Sequence, residues 1–295
     1  MKYLLSIALA SISFAVSAEP DAATSTRISE LHAKFATLEA PLKQNQFKRP
    51  LVLESSEISN KLKGDIYAVV DYPLNKVGVE LSNPDHWCDV LLLHINTKYC
   101  RATANAAATS LRVNVGKKTP EELRLVAHID FNYKVVTSSP EYFQIKLDAA
   151  DGPLGTSDYL ILLEAVATPN AKTLLHLTYS YAMNFGARLG MRTYLKTIAS
   201  DKVGFTVTGK QANGQAVYIG GVRGLVERNT MRYYLAIDSF LDAATTASAE
   251  AEQTEKRLQT WFTSVERYPR QLHEMDREEY MSMKRAENIR QKTVR

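Results

Sequence analysis

Six histidines, two cysteines and a scatter of carboxylates are the residues from which chemistry could be built, and their spacing leaves little of it open. His86 and His94 lie eight residues apart, two helical turns or about 12 Å on a helix, too far to share one ion. His273-Glu274 is followed by Arg277 where a zinc-protease helix needs its second histidine. His128 and Asp130 share the wet face of an alternating segment, and His176 falls on the wet face of another, so they read as solvated side chains rather than a proton-transfer pair. No GxSxG elbow occurs, and Cys88 lacks the basic surroundings of a nucleophile. Gly220, Gly221 and Gly224 are too few and wrongly arranged for a phosphate loop, and they read instead as allowing close approach of a helix to a sheet or a ligand. Glu227, Arg228 and Arg232 read as surface ion pairs. Neither a metal nor a cofactor is expected from these patterns.

What the cysteines do depends on the compartment. Residues 1–18 read as a secretory signal peptide: Lys2, an apolar run from Leu4 to Val16 too short for the roughly 20 residues of a membrane span, and small residues ending at Ala18. Cleavage after Ala18 would deliver a periplasmic or secreted chain without an N-terminal lipid anchor and, with Lys2 gone, lower the formal charge from +4 to +3. In an oxidising compartment a Cys88–Cys100 disulfide is favoured, two separately buried thiols being the alternative that geometry decides. The small, scattered positive charge permits transient contact with an acidic membrane surface but offers no basic block for nucleic acid.

Periodicity places the elements. Ile28, Leu31, Phe35, Leu38 and Leu42 are spaced as a helix that Pro41 helps to end, in an extension covering residues 19–50. Leu51 to Glu54 and Gly64 to Asp71 read as strands, LNKVGVELS and PDHWCDVLLLH as short helices, and Asn96 to Ala102 as extended chain. Leu111, Val113 and Val115 alternate, as do Leu123 to Val135, Phe143 to Leu147, Tyr159 to Val166 and Leu175 to Met183, so that one face of each strand is buried and one is wet. Phe185 to Ser200 reads as a helix and Gly204 to Gly220 as a hairpin turning at Asn213-Gly214. Gly220 to Leu241 is one long helix whose apolar stripe, Val222, Leu225, Val226, Tyr233, Ile237 and Phe240, includes Asn229. A charged helical tail, folded back at its start and fraying at its end, covers residues 243–295. Strands joined by turns imply an antiparallel meander, and a helix arriving after it must bury its stripe on the inner face, giving an α+β domain.

That element order, together with the wording PDHWCDVLLLHINTKYC and GGVRGLVERNTMRYYLAIDSFL, resembles the START-like, or helix-grip, superfamily over residues 51–242. The resemblance implies a curved antiparallel sheet wrapped over the long C-terminal helix, with an apolar molecule such as a lipid or sterol held between them. The helix and hairpin of residues 185–220 and the tail are additions to that plan.

The inward set is then Leu125, Ile129, Phe131, Tyr133, Phe143, Ile145, Leu175, Leu177, Tyr179, Tyr181 and Met183, closed by Val226, Asn229 and Tyr233. Buried tyrosines and an amide each need a partner, because an unpaired one costs about 1–3 kcal/mol, so they either bond to backbone or orient a ligand. Three readings follow. The first is binding or carriage of a lipid or other apolar small molecule. The second is a cyclase or dehydratase in which Tyr133, Tyr179 or Asn229 polarises a carbonyl. The third is an interaction module whose tail docks a protein partner through Trp261, Phe262 and Tyr268.

Overall fold

The computed structural model describes residues 21–105, 108–197, 200–247 and 249–293; the expected signal peptide, residues 1–18, lies outside them. Helix α1 (Ala22–Thr37) starts at Asp21, whose carboxylate accepts from Thr24 N, and breaks at Leu38 into α2 (Glu39–Lys43), with Pro41 tolerated inside that short helix. Strands β1 (Leu51–Ile58) and β2 (Lys61–Val70) form a hairpin. They are followed by α3 (Leu74–Leu81) and α4 (Pro84–Leu92), the latter capped by Asn83 with Pro84 in its first turn. Then come β3 (Thr97–Ala104), β4 (Thr109–Val115), β5 (Ala127–Ser138), β6 (Tyr142–Asp151), β7 (Thr156–Ala167) and β8 (Thr173–Met183). Helix α5 (Phe185–Thr197) and the hairpin β9 (Val207–Lys210) and β10 (Ala216–Tyr218) lead to the long helix α6 (Gly221–Thr246). The tail forms α7 (Glu250–Val265), α8 (Pro269–Leu272) and α9 (Arg277–Thr293).

Eight strands make one antiparallel sheet in the order β1-β2-β8-β7-β6-β5-β4-β3. Every step joins chain neighbours except one, where β8 returns beside β2 with Leu177 opposite Ile66. The inner face curves over α6, which packs on β1, β2 and β8. This is a helix-grip fold. Leu125 does not join the inward set: Val115 pairs with Ala127 as the last rung of the β4–β5 ladder, so residues 123–125 fall beyond the sheet in a 3-10 turn and Leu125 is 65% exposed. The close approach of helix to sheet occurs at Gly64, where a Cβ would lie 2.2 Å from Thr230 Oγ1. Gly224 instead lets α6 meet the loop at Gly204, whose backbone N a Cβ would approach to 3.0 Å.

Helix α6 runs past Leu241 to Thr246 and is buried well beyond its apolar stripe, because the sheet covers one side and the tail the other. Trp261, Phe262 and Tyr268 are therefore core residues and not a docking face: Trp261 Nε1 donates to Arg232 O, and Tyr268 Oη donates to Phe47 O. The tail stays packed well into its last described helix, since Tyr280, Lys284 and Glu287 on α9 are buried against the α4–β3 segment. Cys88 and Cys100 form a disulfide that ties α4 to β3, with Cα atoms 5.1 Å apart.

On the outer face α1 covers the sheet, packing Leu31 on Tyr142 and Val166, and Phe35 edge-on to Tyr67 at 5.8 Å. This cover explains why β8 is buried along almost its whole length, and it corrects the solvated reading of His176. That imidazole stacks on Tyr67 at 4.3 Å and bonds Asp65 on β2 and Glu164 on β7, each at 3.0 Å; Arg27 of α1 and Tyr142 also donate to Glu164, and Lys63 pairs with Asp65. Burial alone would lower the His176 pKa, but the two carboxylates outweigh it and raise it. Burial alone would raise Glu164, yet Arg27, His176 and Tyr142 bring it down to about 2.

A raised histidine stabilises the fold fully below its unfolded value of 6.5 and loses that contribution as pH climbs through the folded value. Lys284, brought by burial to about 8 from 10.5 despite Glu287, acts with the opposite sign, its cost being relieved as pH rises from about 8 to 10.5. Melting temperature is therefore expected to fall as pH rises above 6.5 and through the folded value of His176, and His176→Gln should flatten the profile. An equal slope in both proteins would refute the assignment. Glu164 acts at the other end, its contribution being lost as pH falls from 4.5 towards about 2.

Candidate functional site

A cavity of about 750 Å³ lies between the ends of β7 and β8, α6, α5 and the 3-10 turn Pro153–Gly155. Its size is that of a small-molecule site. The alternation of β7 and β8 projects Tyr159, Tyr179, Tyr181 and Met183 into it, and the helical period of α6 adds Leu225, Arg228, Asn229 and Arg232 one turn apart. Met191, Tyr194 and Leu195 of α5 close the third side. A second hollow of about 810 Å³ sits outside the sheet beneath α2, against Phe35, Leu42 and Leu174. Most of its polar lining, Glu39, Lys43, Gln44, Lys48 and Lys172, is exposed.

The aromatic wall is continuous. Tyr159 stacks on Tyr181 at 5.5 Å, Tyr181 tilts against Tyr179 at 5.5 Å, and Tyr179 meets Tyr233 at 5.0 Å, behind which His94 stacks at 5.2 Å. Burial raises the pKa of all four phenols, so they stay protonated as donors. Burial, and then the Arg232 and Lys284 cations, push His94 well below its ordinary range, so its imidazole is neutral. Asn229 sits within interaction reach of both His94 and Tyr179. These groups orient and hydrogen-bond; they are not poised to exchange protons near neutrality.

Four of the residues expected to face a ligand line the cavity: Tyr179, Tyr181, Met183 and Asn229. Ile129, Phe131, Tyr133, Phe143, Ile145, Leu177 and Val226 belong to the packed core around it, as does Tyr233 one ring behind the wall. Tyr133 Oη donates to Leu81 O at 3.1 Å and is not part of the cavity lining.

Charged residues complete the lining, and sequence reasoning placed them elsewhere. Glu227, Arg228 and Arg232 are buried, not surface, because the hairpin approach and the tail cover that side of α6. Glu227 accepts from Phe205 N, Thr206 N and Ser55 Oγ, fastening the hairpin to the helix. Arg232 donates to Glu274 Oε1 at 2.7 Å and to Asn229 Oδ1 at 3.3 Å. Lys118 also bonds Glu274, and Lys202 lies 3.7 Å from it. Burial alone would raise the Glu274 carboxyl, but Arg232, Lys118 and Lys202 hold it below its ordinary range. The flanking of Asn229 by two arginines within the apolar stripe was a signal for the helix residues. Nothing local marked Lys118 or Glu274.

No family model matches the chain, and no curated protein matches it in sequence. Among solved structures it is similar to the Zhui aromatase/cyclase of a Streptomyces species, at 10% identity over 63% of this chain and 97% of that one, with a TM-score of 0.39. It is likewise similar to human StAR-related lipid transfer protein 5, at 9% identity, 76% and 98% coverage and a TM-score of 0.36. Norcoclaurine synthase of Thalictrum flavum aligns at 13% identity over 51% and 77% of the two chains, with a TM-score of 0.32. At these identities and scores the comparison assigns no activity.

Proposed function

We propose that this protein binds or carries an apolar small molecule or lipid in the cavity between its sheet and long helix. The observation that carries the reading is the hollow of about 750 Å³ walled by tyrosine, methionine and leucine, with a few buried polar groups converging on it. Export to the periplasm or outside the cell belongs to the same proposal, supported by the composition of residues 1–18 and by the Cys88–Cys100 bridge.

The route in and out runs between α5 and the turn Pro153–Gly155, so α6 need not move. Asn184 N donates to Gly155 O at 2.9 Å and links the turn to the start of α5. Leu154 and Phe185 stand 90% and 83% exposed on this side, an apolar rim suited to transient contact with a membrane surface.

Native mass spectrometry of protein purified from a periplasmic preparation, followed by organic extraction, tests the reading. A reproducible apolar adduct is expected. Tyr181→Trp should fill part of the cavity and lower retention of that adduct by about tenfold while the circular dichroism spectrum stays native. Unchanged retention in the folded variant would count against this cavity.

A further inference from the structure

The charge on the cavity wall is unbalanced. Lys118, Lys202, Arg228 and Arg232 line it against one carboxylate, Glu274. That carboxylate is already shared by Arg232, Lys118 and Lys202. Arg228 is left over. It is 3% exposed, and among the described residues its Nη1 donates to Val203 O at 3.2 Å while its Nε has no partner. Glu274 and Asp201 act on it only at a distance, and the Asp201 side chain is 74% exposed and sits 3.9 Å from Lys202.

A buried guanidinium with no carboxylate bonded to it is costly, and a chain that keeps one beside an apolar hollow has a use for an anion there. Arg228 also offers planar donors matched to a carboxylate or a phosphate. Across the same cavity, Tyr159, Tyr181, Met183 and Met191 give the apolar wall for the remainder of the molecule.

We propose that the cavity takes an anionic amphiphile, its acid group at Arg228 and its apolar body against the tyrosine and methionine wall. This rests on the cavity-binding reading above and names the ligand class for it. The acid group is a carboxylate or a phosphate. Arg232 and Lys118, held by Glu274, supply the surrounding positive field without competing as primary partners.

The test uses the full mature chain after removal of bound lipid. The probes are the fluorescent fatty acid cis-parinaric acid and its methyl ester, which differ by one charge. The acid should bind at least about tenfold tighter than the ester. Arg228→Met, which keeps the length and apolar packing of the side chain, should bring the acid-to-ester ratio down to about one, and Arg228→Lys should restore part of the preference. Displacement by oleate and by oleoyl lysophosphatidate separates the two headgroups. The stronger competitor names the natural one, and either result supports the proposal. Inorganic phosphate alone should not displace the probe at concentrations where lysophosphatidate does. Equal binding of acid and ester to the wild-type protein would overturn the proposal and leave the cavity reading standing. Binding of neither would overturn both. If Arg228→Met fails to fold, Arg228→Lys decides: an acid-to-ester ratio below that of the wild-type protein supports the placement at Arg228, and an unchanged ratio overturns it.

Discussion

Replacing Glu287 with leucine is expected to destabilise the fold by about 3–5 kcal/mol, the cost of breaking a buried ion pair from one side. Glu287 bridges two ammonium groups, Lys98 Nζ at 3.1 Å and Lys284 Nζ at 2.7 Å, and the side chains of both lysines are 0% exposed against 3% for the glutamate. Lys284 also donates to His94 O at 2.7 Å and Thr97 O at 2.9 Å, and Lys98 donates to Ile95 O at 3.2 Å. The substitution would leave two like charges facing each other out of water. Urea denaturation measures the loss, and a change under about 0.5 kcal/mol would show that the cluster relaxes at no cost. The triple change Lys98→Met, Lys284→Met, Glu287→Leu should recover most of the stability, because a well-packed apolar replacement avoids the desolvation of all three charges. Since these bonds hold residues 94–97 and Asn96 lines the cavity, Glu287→Leu should also weaken ligand retention. The tail thus supports the site, and removing the chain after Leu241 would dismantle it.

Loss of the disulfide is the second large effect. Cys88 and Cys100, 12 residues apart, join α4 to β3 at the sheet edge, and both are buried. Opening a loop of that size costs about 3 kcal/mol, so the pair Cys88→Ala and Cys100→Ala should lower the melting temperature by roughly 5–10 °C. Reduction of the wild-type protein should match it. A melting temperature unchanged by either treatment would mean that the α4–β3 contacts hold this edge unaided.

Much of the architecture was legible in residue spacing. Alternation from Ile129 to Val135 and from Leu175 to Met183 identified strands and chose their inner faces, and the stripe from Val222 to Phe240 identified the long helix. Leu125 was misplaced because alternation continues past the point where strand pairing stops, and only the Val115–Ala127 rung reveals that point. His176 was misplaced for a related reason: its face of β8 is polar in sequence, and α1, far away in the chain, is what covers it.

The candidate site divides in the same way. Tyr179, Tyr181, Met183 and Asn229 could be assigned from period and polarity, whereas Arg228, Arg232 and Glu274 could not. Charged residues at helical spacing look alike whether water or another helix lies over them, and here α7 and α8 lie over α6.

The order and kind of the elements, the inward face of each strand and the presence of two cysteines able to pair were determined by the sequence alone, because propensity and periodicity are local properties. Tertiary structure alone decided that the tail buries the arginines, that the inner face is filled along most of its length, and that a hollow survives near Tyr181. Periodicity says which side of an element is apolar, but whether that side meets a close-packed partner or an empty space is set by the summed volumes of residues distant in the chain.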